Sequence, residues 1–161
     1  MVRIRQAQEA EATQIRDLIH LVGINPLGLD WKRFVVAVND RDEIIGCGQI
    51  KPHRPDVLEL ASIAVYPEHQ GKGVARAIIE HLLKDSPRPL YLMCASALGP
   101  LYEKFGFQSI PYEEMPRYFQ RISKLAGLVT TLAILFLVTF GINTAGDWAI
   151  RRMKRRLGAS T

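Results

Sequence analysis

Residues Gln70, Gly71, Lys72, Gly73, Val74, Ala75 and Arg76 follow an apolar stretch that ends at Tyr66–Pro67 and precede a helical pattern that begins near Val74. Strand, glycine loop, helix is a layout that binds phosphate. Glycines let the backbone approach an anion, and the free N–H groups at a helix start point at it. The helix dipole adds about half a positive charge there, and Lys72 and Arg76 add whole ones. The plain alternative is an ordinary strand–turn–helix connection. A Walker loop is absent, and the dinucleotide pattern is incomplete, because the third position after Gly73 is Arg76. What fits is Q-x-x-G-x-A, from Gln70 through Gly73 to Ala75. A second chemical group stands just upstream. Glu59 is the only acid in the apolar run Val57 to Val65, and a carboxylate there must reach solvent, find a partner or line a cleft.

The elements that would position these groups can be read in order. Val2 to Ala7 alternates apolar and charged residues, as a half-buried strand does. Ala12, Ile15, Leu18, Ile19 and Val22 recur at helical spacing, and Gly23 should end that helix. Gly23 to Asp30 reads as a loop. Phe34 to Val38 and Glu43 to Ile50 read as strands joined by the polar turn Asn39 to Asp42, with Gly46 and Gly48 marking a weak point or bulge in the second. Lys51 to Asp56, with Pro52 and Pro55, reads as a turn. Val57 to Val65 is a fourth strand, apolar enough to be buried on both faces. A helix to about Lys84 follows, broken by the sequence DSPRP. Then come a strand at Leu90 to Cys94, a short helix at Ala97 to Phe105 and a closing strand at Phe107 to Tyr112. This order gives an α+β, or mixed α/β, domain around a central mixed sheet.

Composition narrows the function classes. Residues 1–116 carry 13 Lys and Arg against 15 Asp and Glu, whereas residues 117–161 carry eight against one. The basic character belongs to the tail, so no nucleic-acid partner is expected for the body, and an anionic membrane near the tail is. Cys47 and Cys94 sit in apolar runs and read as small buried residues. The four histidines show no metal-ligand spacing, so no metal is expected. The polar, charged N-terminus does not read as a signal peptide.

The run Q-x-x-G-x-A after a V-x-P strand end, with LYEKFGF (Leu101 to Phe107) downstream, resembles the GNAT (GCN5-related) N-acetyltransferases. The resemblance covers residues 1 to about 112. It implies acetyl-CoA as co-substrate, held through its pyrophosphate by Gln70, Gly71, Lys72, Gly73, Val74, Ala75 and Arg76. It also implies that the backbone of Ile63, Ala64 and Val65 pairs with the pantetheine arm as an added strand. The reaction would be direct attack of a primary amine, on a small molecule or a protein, upon the thioester. Glu59 matches a glutamate that serves some members as general base, often through water; its alternative is an outward-facing strand glutamate. Tyr102 matches the family tyrosine that protonates the leaving thiolate, and a phenol near pKa 10 suits that task; its alternative is a core tyrosine. The chain departs from many members in lacking an asparagine before this helix, where Ser96 is the nearest polar residue. The rival reading is a non-catalytic acyl-CoA-binding or sensing module at a membrane.

Residues 125–146 hold no charged side chain. As a helix they would span roughly 33 Å, enough for a bilayer, and their apolar residues fall all round the helix rather than on one stripe. The domain plan is therefore an acetyltransferase-like domain at 1–112, a linker helix at 113–124, a transmembrane helix at 125–146 and a basic tail at 147–161. That places the protein on a membrane by a single pass, with its catalytic domain in the cytoplasm. Against this stands RRMKRR, Arg151 to Arg156, whose charge opposes an orientation that puts the tail outside. A re-entrant segment, or a helix buried in an oligomer or against the sheet, is the alternative. A homodimer is among the assemblies allowed.

Overall fold

The computed structural model describes residues 2–53, 56–132 and 148–153. They divide into two compact units, Met1–Lys51 with Leu60–Ser86, and Pro52–Glu59 with Pro87–Thr161. Strands β3 (Ile44–His53) and β4 (Val57–Val65) each contribute residues to both.

In the first unit β1 (Arg3–Gln6), β2 (Phe34–Val38), β3 and β4 follow one another in the sheet. β1 pairs antiparallel with β2, and β2 with β3. The sequence FVVAV of β2 has no polar position, and all five residues are buried, because helices cover both faces. Helix α1 (Ala12–Leu21) sets Ile15, Leu18 and Ile19 in one core with Phe34, Val36, Val38 and Cys47. The other face receives α2 (Val74–Lys84), which buries Val74, Ile78, Ile79 and Leu82. Glycine is what lets α2 come close. A Cβ on Gly48 would stand 2.6 Å from Ile63 Cδ1 and 2.7 Å from Ile78 Cγ2, and one on Gly46 would stand 2.9 Å from the Ala64 carbonyl. The register shift in this hairpin lies beside Gly46, between Ala37 and Val38. Both glycines thus serve helix–sheet packing, and Gly46 also stands beside the bulge the sequence suggested. Gly48→Ala should cost about 1–3 kcal/mol through overpacking, read as a lower urea midpoint at unchanged slope; an unchanged midpoint would show that α2 does not press on this position.

Local chemistry fixes the turns of this unit. Asn39 Oδ1 accepts from the N–H of Arg41 (2.9 Å) and of Glu43 (3.0 Å), a side-chain mimic of a backbone turn. Ahead of α1, Glu11 accepts from the Gln8 N–H at 2.7 Å and from Arg5 at 2.6 and 3.0 Å. The Arg5 hydrogen bond is the main reason that the Glu11 carboxyl is held below its usual range.

In the second unit β4 pairs parallel with β5 (Leu90–Ala95) over Leu58↔Leu90 and Glu59↔Tyr91. The helix α3 (Gly99–Glu103) and β6 (Phe107–Ser109) follow, then α4 (Arg117–Leu132). Parallel and antiparallel pairs together make the sheet mixed, as expected. A core of Tyr91, Ile110 and Phe119, with Val57, Met93, Met115 and Tyr118 packed on it, joins α4 to the strands.

Three sequence expectations change here. β3 runs on through Pro52 to His53, where a turn was expected; an extended backbone accommodates proline at a position that owes no N–H to the ladder. The linker helix expected at 113–124 has other bounds: α4 starts after Pro116 and continues to Leu132. Trp148–Met153, expected within a basic tail, is strand β7, antiparallel to β5 and to β6. The expected transmembrane helix falls on residues 125–146, of which 133–146 lie outside the described residues. Among the described residues no helix is long and apolar enough to cross a membrane.

Candidate functional site

The glycine loop is built in the first unit as the sequence requires. A single turn at Pro67–His69 leads from β4 to Gln70, whose Nε2 donates to the Val65 carbonyl at 3.0 Å and ties the loop to the strand end. Gly71 (φ +71°) and Gly73 (φ +81°) both take the left-handed conformation that favours glycine. A Cβ added to either would meet nothing within 4 Å, so the loop borders open space. Gly73 is the N-cap of α2 and its carbonyl accepts the first helical bond, from the Ala77 N–H at 3.0 Å. The N–H groups of Val74, Ala75 and Arg76 come before that bond and have no acceptor within the helix. Val74 is buried and Ala75 half-buried, so these two offer backbone, while Lys72 is exposed. The Arg76 Nε lies 3.4 Å from Glu80 Oε1 in an exposed pair one helical turn apart. Such a pair is weak and easily exchanged for a phosphate.

β4 carries the other expected cofactor contacts. Its ladder to β5 ends at Glu59↔Tyr91. Ile63 is half-buried, and Ala64 and Val65 are buried. Ser62 has φ +56°, a left-handed residue inside a strand. A serine pays backbone strain there, which is tolerated only where the surroundings enforce it. Gln49 on β3 is wholly buried beside it, and its Nε2 donates to Ser62 Oγ at 3.0 Å. Gln49 Oε1 has no hydrogen-bond partner among the described residues. No sequence pattern pointed to this pair.

The loop expected at Gly23 to Asp30 is present and braced. Lys51 Nζ donates to the Leu27 carbonyl at 2.8 Å, and Asn25 Oδ1 accepts from the Leu27 N–H at 2.9 Å. A small pocket beside it is lined by Ile15, Arg16, Leu29, Asp30, Trp31 and Phe34.

In the second unit Glu59 is not the outward-facing strand glutamate. It is mostly buried, and His53 Nε2 stands 2.6 Å from its Oε2. Tyr118 stacks on the His53 ring with centroids 3.7 Å apart, and Phe119 meets it edge-on at 6.0 Å. Burial, and then the negative charge of Glu59, push the Tyr118 phenol up from its ordinary pKa. The sequence does not expose His53, because the spacing of the histidines speaks only to metal ligation and residues 51–56 read as a turn. The signal available was Glu59 itself, an acid in an apolar strand that needs a partner. Among the described residues no three His, Cys, Asp or Glu are placed to share a metal ion.

Tyr102 also lies in the second unit, on α3, buried and packed edge-on against Phe107 at 6.0 Å. Burial, with a smaller contribution from Cys94, pushes its phenol up to about 12. The hydroxyl therefore stays protonated wherever amine chemistry runs, and it is a weaker acid than the phenol near pKa 10 that the sequence suggests. Cys47 is a buried thiol outside any disulfide, raised to about 12 by burial, and Cys94 is buried and outside any disulfide too. Cys47 therefore lacks the lowered pKa of a nucleophile.

Comparison with known proteins follows the same lines. The model of the acetyltransferase (GNAT) domain family matches residues 30–109. The uncharacterised N-acetyltransferase YsnE of Bacillus subtilis (strain 168) is 30% identical over an alignment of 99 residues, with 56% of this chain and 65% of that protein covered. Among solved structures, N-acetylglutamate synthase from Neisseria gonorrhoeae, complexed with coenzyme A and N-acetyl-glutamate, superposes with a TM-score of 0.70 at 20% identity. The match covers 96% of this chain and 36% of that one. Rv2747 from Mycobacterium tuberculosis, in complex with CoA and NLQ, gives 0.66 at 16% identity over 94% of this chain and 98% of that one. At these identities the structures show a shared fold, mixed α/β with a mixed sheet. The chain spans about two-thirds or less of the length of YsnE and of the synthase.

Proposed function

We propose that this chain, which carries an acetyltransferase domain of the GNAT family, moves an acetyl group from acetyl-CoA to a primary amine by direct attack. The observation that carries the reading is the loop. Two left-handed glycines border open space at the start of an 11-residue helix whose first N–H groups lack helical acceptors. Gln70 to Arg76 would receive the pyrophosphate, and the backbone of Ile63, Ala64 and Val65 the pantetheine arm. The neutral amine nitrogen attacks the thioester carbon, so a C–N bond forms and the C–S bond breaks. Glu59 takes the amine proton, directly or through water, and Tyr102 returns one to the departing thiolate sulfur, giving the amide and free CoA. Two related proteins, the gonococcal synthase and Rv2747, hold coenzyme A in their solved structures, which supports the same co-substrate here. The test is thiol release from acetyl-CoA against a panel of primary amines. Release that depends on amine supports the reading. Binding of acetyl-CoA without release from any amine would leave a non-catalytic acyl-CoA module.

The part given to Tyr102 has its own test. Tyr102→Phe keeps the ring on Phe107 and removes only the hydroxyl, so kcat should fall by about 10- to 100-fold with little change in acetyl-CoA affinity. Because the phenol is pushed up to about 12 by burial, the wild-type rate should show no loss from phenol ionisation below pH 10. Equal turnover in the variant would make Tyr102 a core residue.

The membrane tether is part of the same proposal. Its support is the uncharged run 125–146, whose first residues continue α4, with Leu125 mostly exposed. Pairing of β7 with β5 and β6 brings the chain back to the strands it left. This favours insertion from the cytoplasmic face without a crossing over the single pass that the sequence suggested. Fractionation tests it: the whole chain should pellet with membranes and need detergent for release, whereas protein soluble without detergent would contradict the tether.

A further inference from the structure

Glu59 is a carboxylate with little access to water, and its environment is built around one histidine. The His53 and Glu59 side chains are 7% and 12% exposed, with 2.6 Å between Nε2 and Oε2. A buried carboxylate without a partner would be costly and would shed its charge by taking up a proton. The His53 ring is itself fixed. Tyr118 lies nearly parallel to it, at 20°, and Phe119 meets its edge, so rotation of the imidazole would break two aromatic contacts. Tyr118 and Phe119 also contact each other, at 5.1 Å, and Phe119 contacts Tyr91 at 5.8 Å, the residue in register with Glu59 on β5. His53, Glu59, Tyr91, Tyr118 and Phe119 thus form one connected group. Two of its members lie on α4, beyond the residues 30–109 that match the family model.

We infer that His53 is the positioning residue of the base, and that Tyr118 on α4 is what holds His53 in place. With its proton on Nε2, His53 donates to Glu59 Oε2 and fixes the carboxylate in one rotamer. Glu59 Oε1 is then left to accept the amine proton. His53 holds and does not relay: the proton goes to Glu59 and no bond to histidine is made or broken. The inference rests on the assignment of Glu59 as base made above.

The test compares two neutral amides at position 53 in the whole chain, with acetyl-CoA and the most reactive amine of the panel. In His53→Gln the amide N–H falls about where Nε2 stands and can reach Glu59; in His53→Asn it falls about where Nδ1 stands and cannot. The asparagine variant should lose roughly 10- to 100-fold in kcat at unchanged KM for acetyl-CoA, and the glutamine variant should recover most of that loss. A purely structural histidine would make the two variants alike. Equal losses, an undiminished kcat in His53→Asn, or a KM for acetyl-CoA that rises in step would each overturn the inference. If His53→Asn does not fold, Tyr118→Leu frees the ring without removing its hydrogen bond. A lower kcat there at unchanged KM supports the clamp, and an unchanged kcat overturns it. Glu59→Gln, run alongside, separates the two levels. Full activity in that variant removes the base and the inference together, whereas a loss in Glu59→Gln with none in His53→Asn removes the positioning role alone.

Discussion

Gly73→Asp should abolish measurable binding of acetyl-CoA, raising Kd by at least about 100-fold, the equivalent of roughly 2.7 kcal/mol. Gly73 caps α2 with φ +81°, and its Cβ position faces open space. The new side chain therefore meets no protein atom, and the protein should still fold. Aspartate is among the residues best tolerated in the left-handed region, so the backbone cost is of the order of 1–2 kcal/mol. What the substitution does is place a carboxylate where a pyrophosphate must come. It repels the anion, and it competes for the helix N–H groups that would receive it. Gly73→Ala serves as control, since it adds the backbone strain without the charge and should weaken binding much less. A Gly73→Asp variant that binds acetyl-CoA as the parent does would contradict the loop assignment.

Glu59→Gln carries the second large effect. Glutamine is nearly isosteric and can still accept a hydrogen bond from His53 Nε2, 2.6 Å away in the parent. The substitution takes away the charge and the capacity to accept a proton, and leaves the packing. For a general base the expected loss in kcat is about 10²- to 10⁴-fold. Acetyl-CoA affinity should hold, because the loop that would bind the pyrophosphate is untouched. If water near Glu59 makes the contact with the amine, the loss should sit toward the lower end of that range. Full kcat with a normal melting curve would mean that Glu59 and His53 are a structural pair.

The strands and the phosphate-loop geometry were legible because local rules decide them. FVVAV in β2 and the run Val57–Val65 in β4 appear at the bounds expected from their apolar patterns. Val74–Lys84 starts where the glycines allow a helix to start and ends at Asp85, ahead of Pro87. Gly71 and Gly73 fall in the left-handed region that the phosphate-loop reading needed. What stayed hidden depends on contacts distant in the chain. His53 gains its place from β3 continuing through Pro52, and its orientation from Tyr118, 65 positions later in the chain. The Gln49–Ser62 pair exists only because β3 and β4 are neighbours in the sheet. β7 could not be foreseen for another reason. Trp148–Met153 is rich in arginine and was read for its charge, whereas its place as a strand comes from β5 and β6 on either side. Charge says where a segment can be solvated; backbone pairing is open to almost any sequence that can extend.

The central claim is that this chain binds acetyl-CoA through the loop from Gln70 to Arg76. It is tested most directly by calorimetric titration of acetyl-CoA into the whole chain, with CoA titrated for comparison. The whole chain is needed because α4 supplies Tyr118 and Phe119 to His53, and β7 lies between β5 and β6. Saturable one-to-one binding of both ligands, lost in Gly73→Asp, is the expected result. No heat of binding from either ligand, in protein shown by its melting transition to be folded, would contradict it.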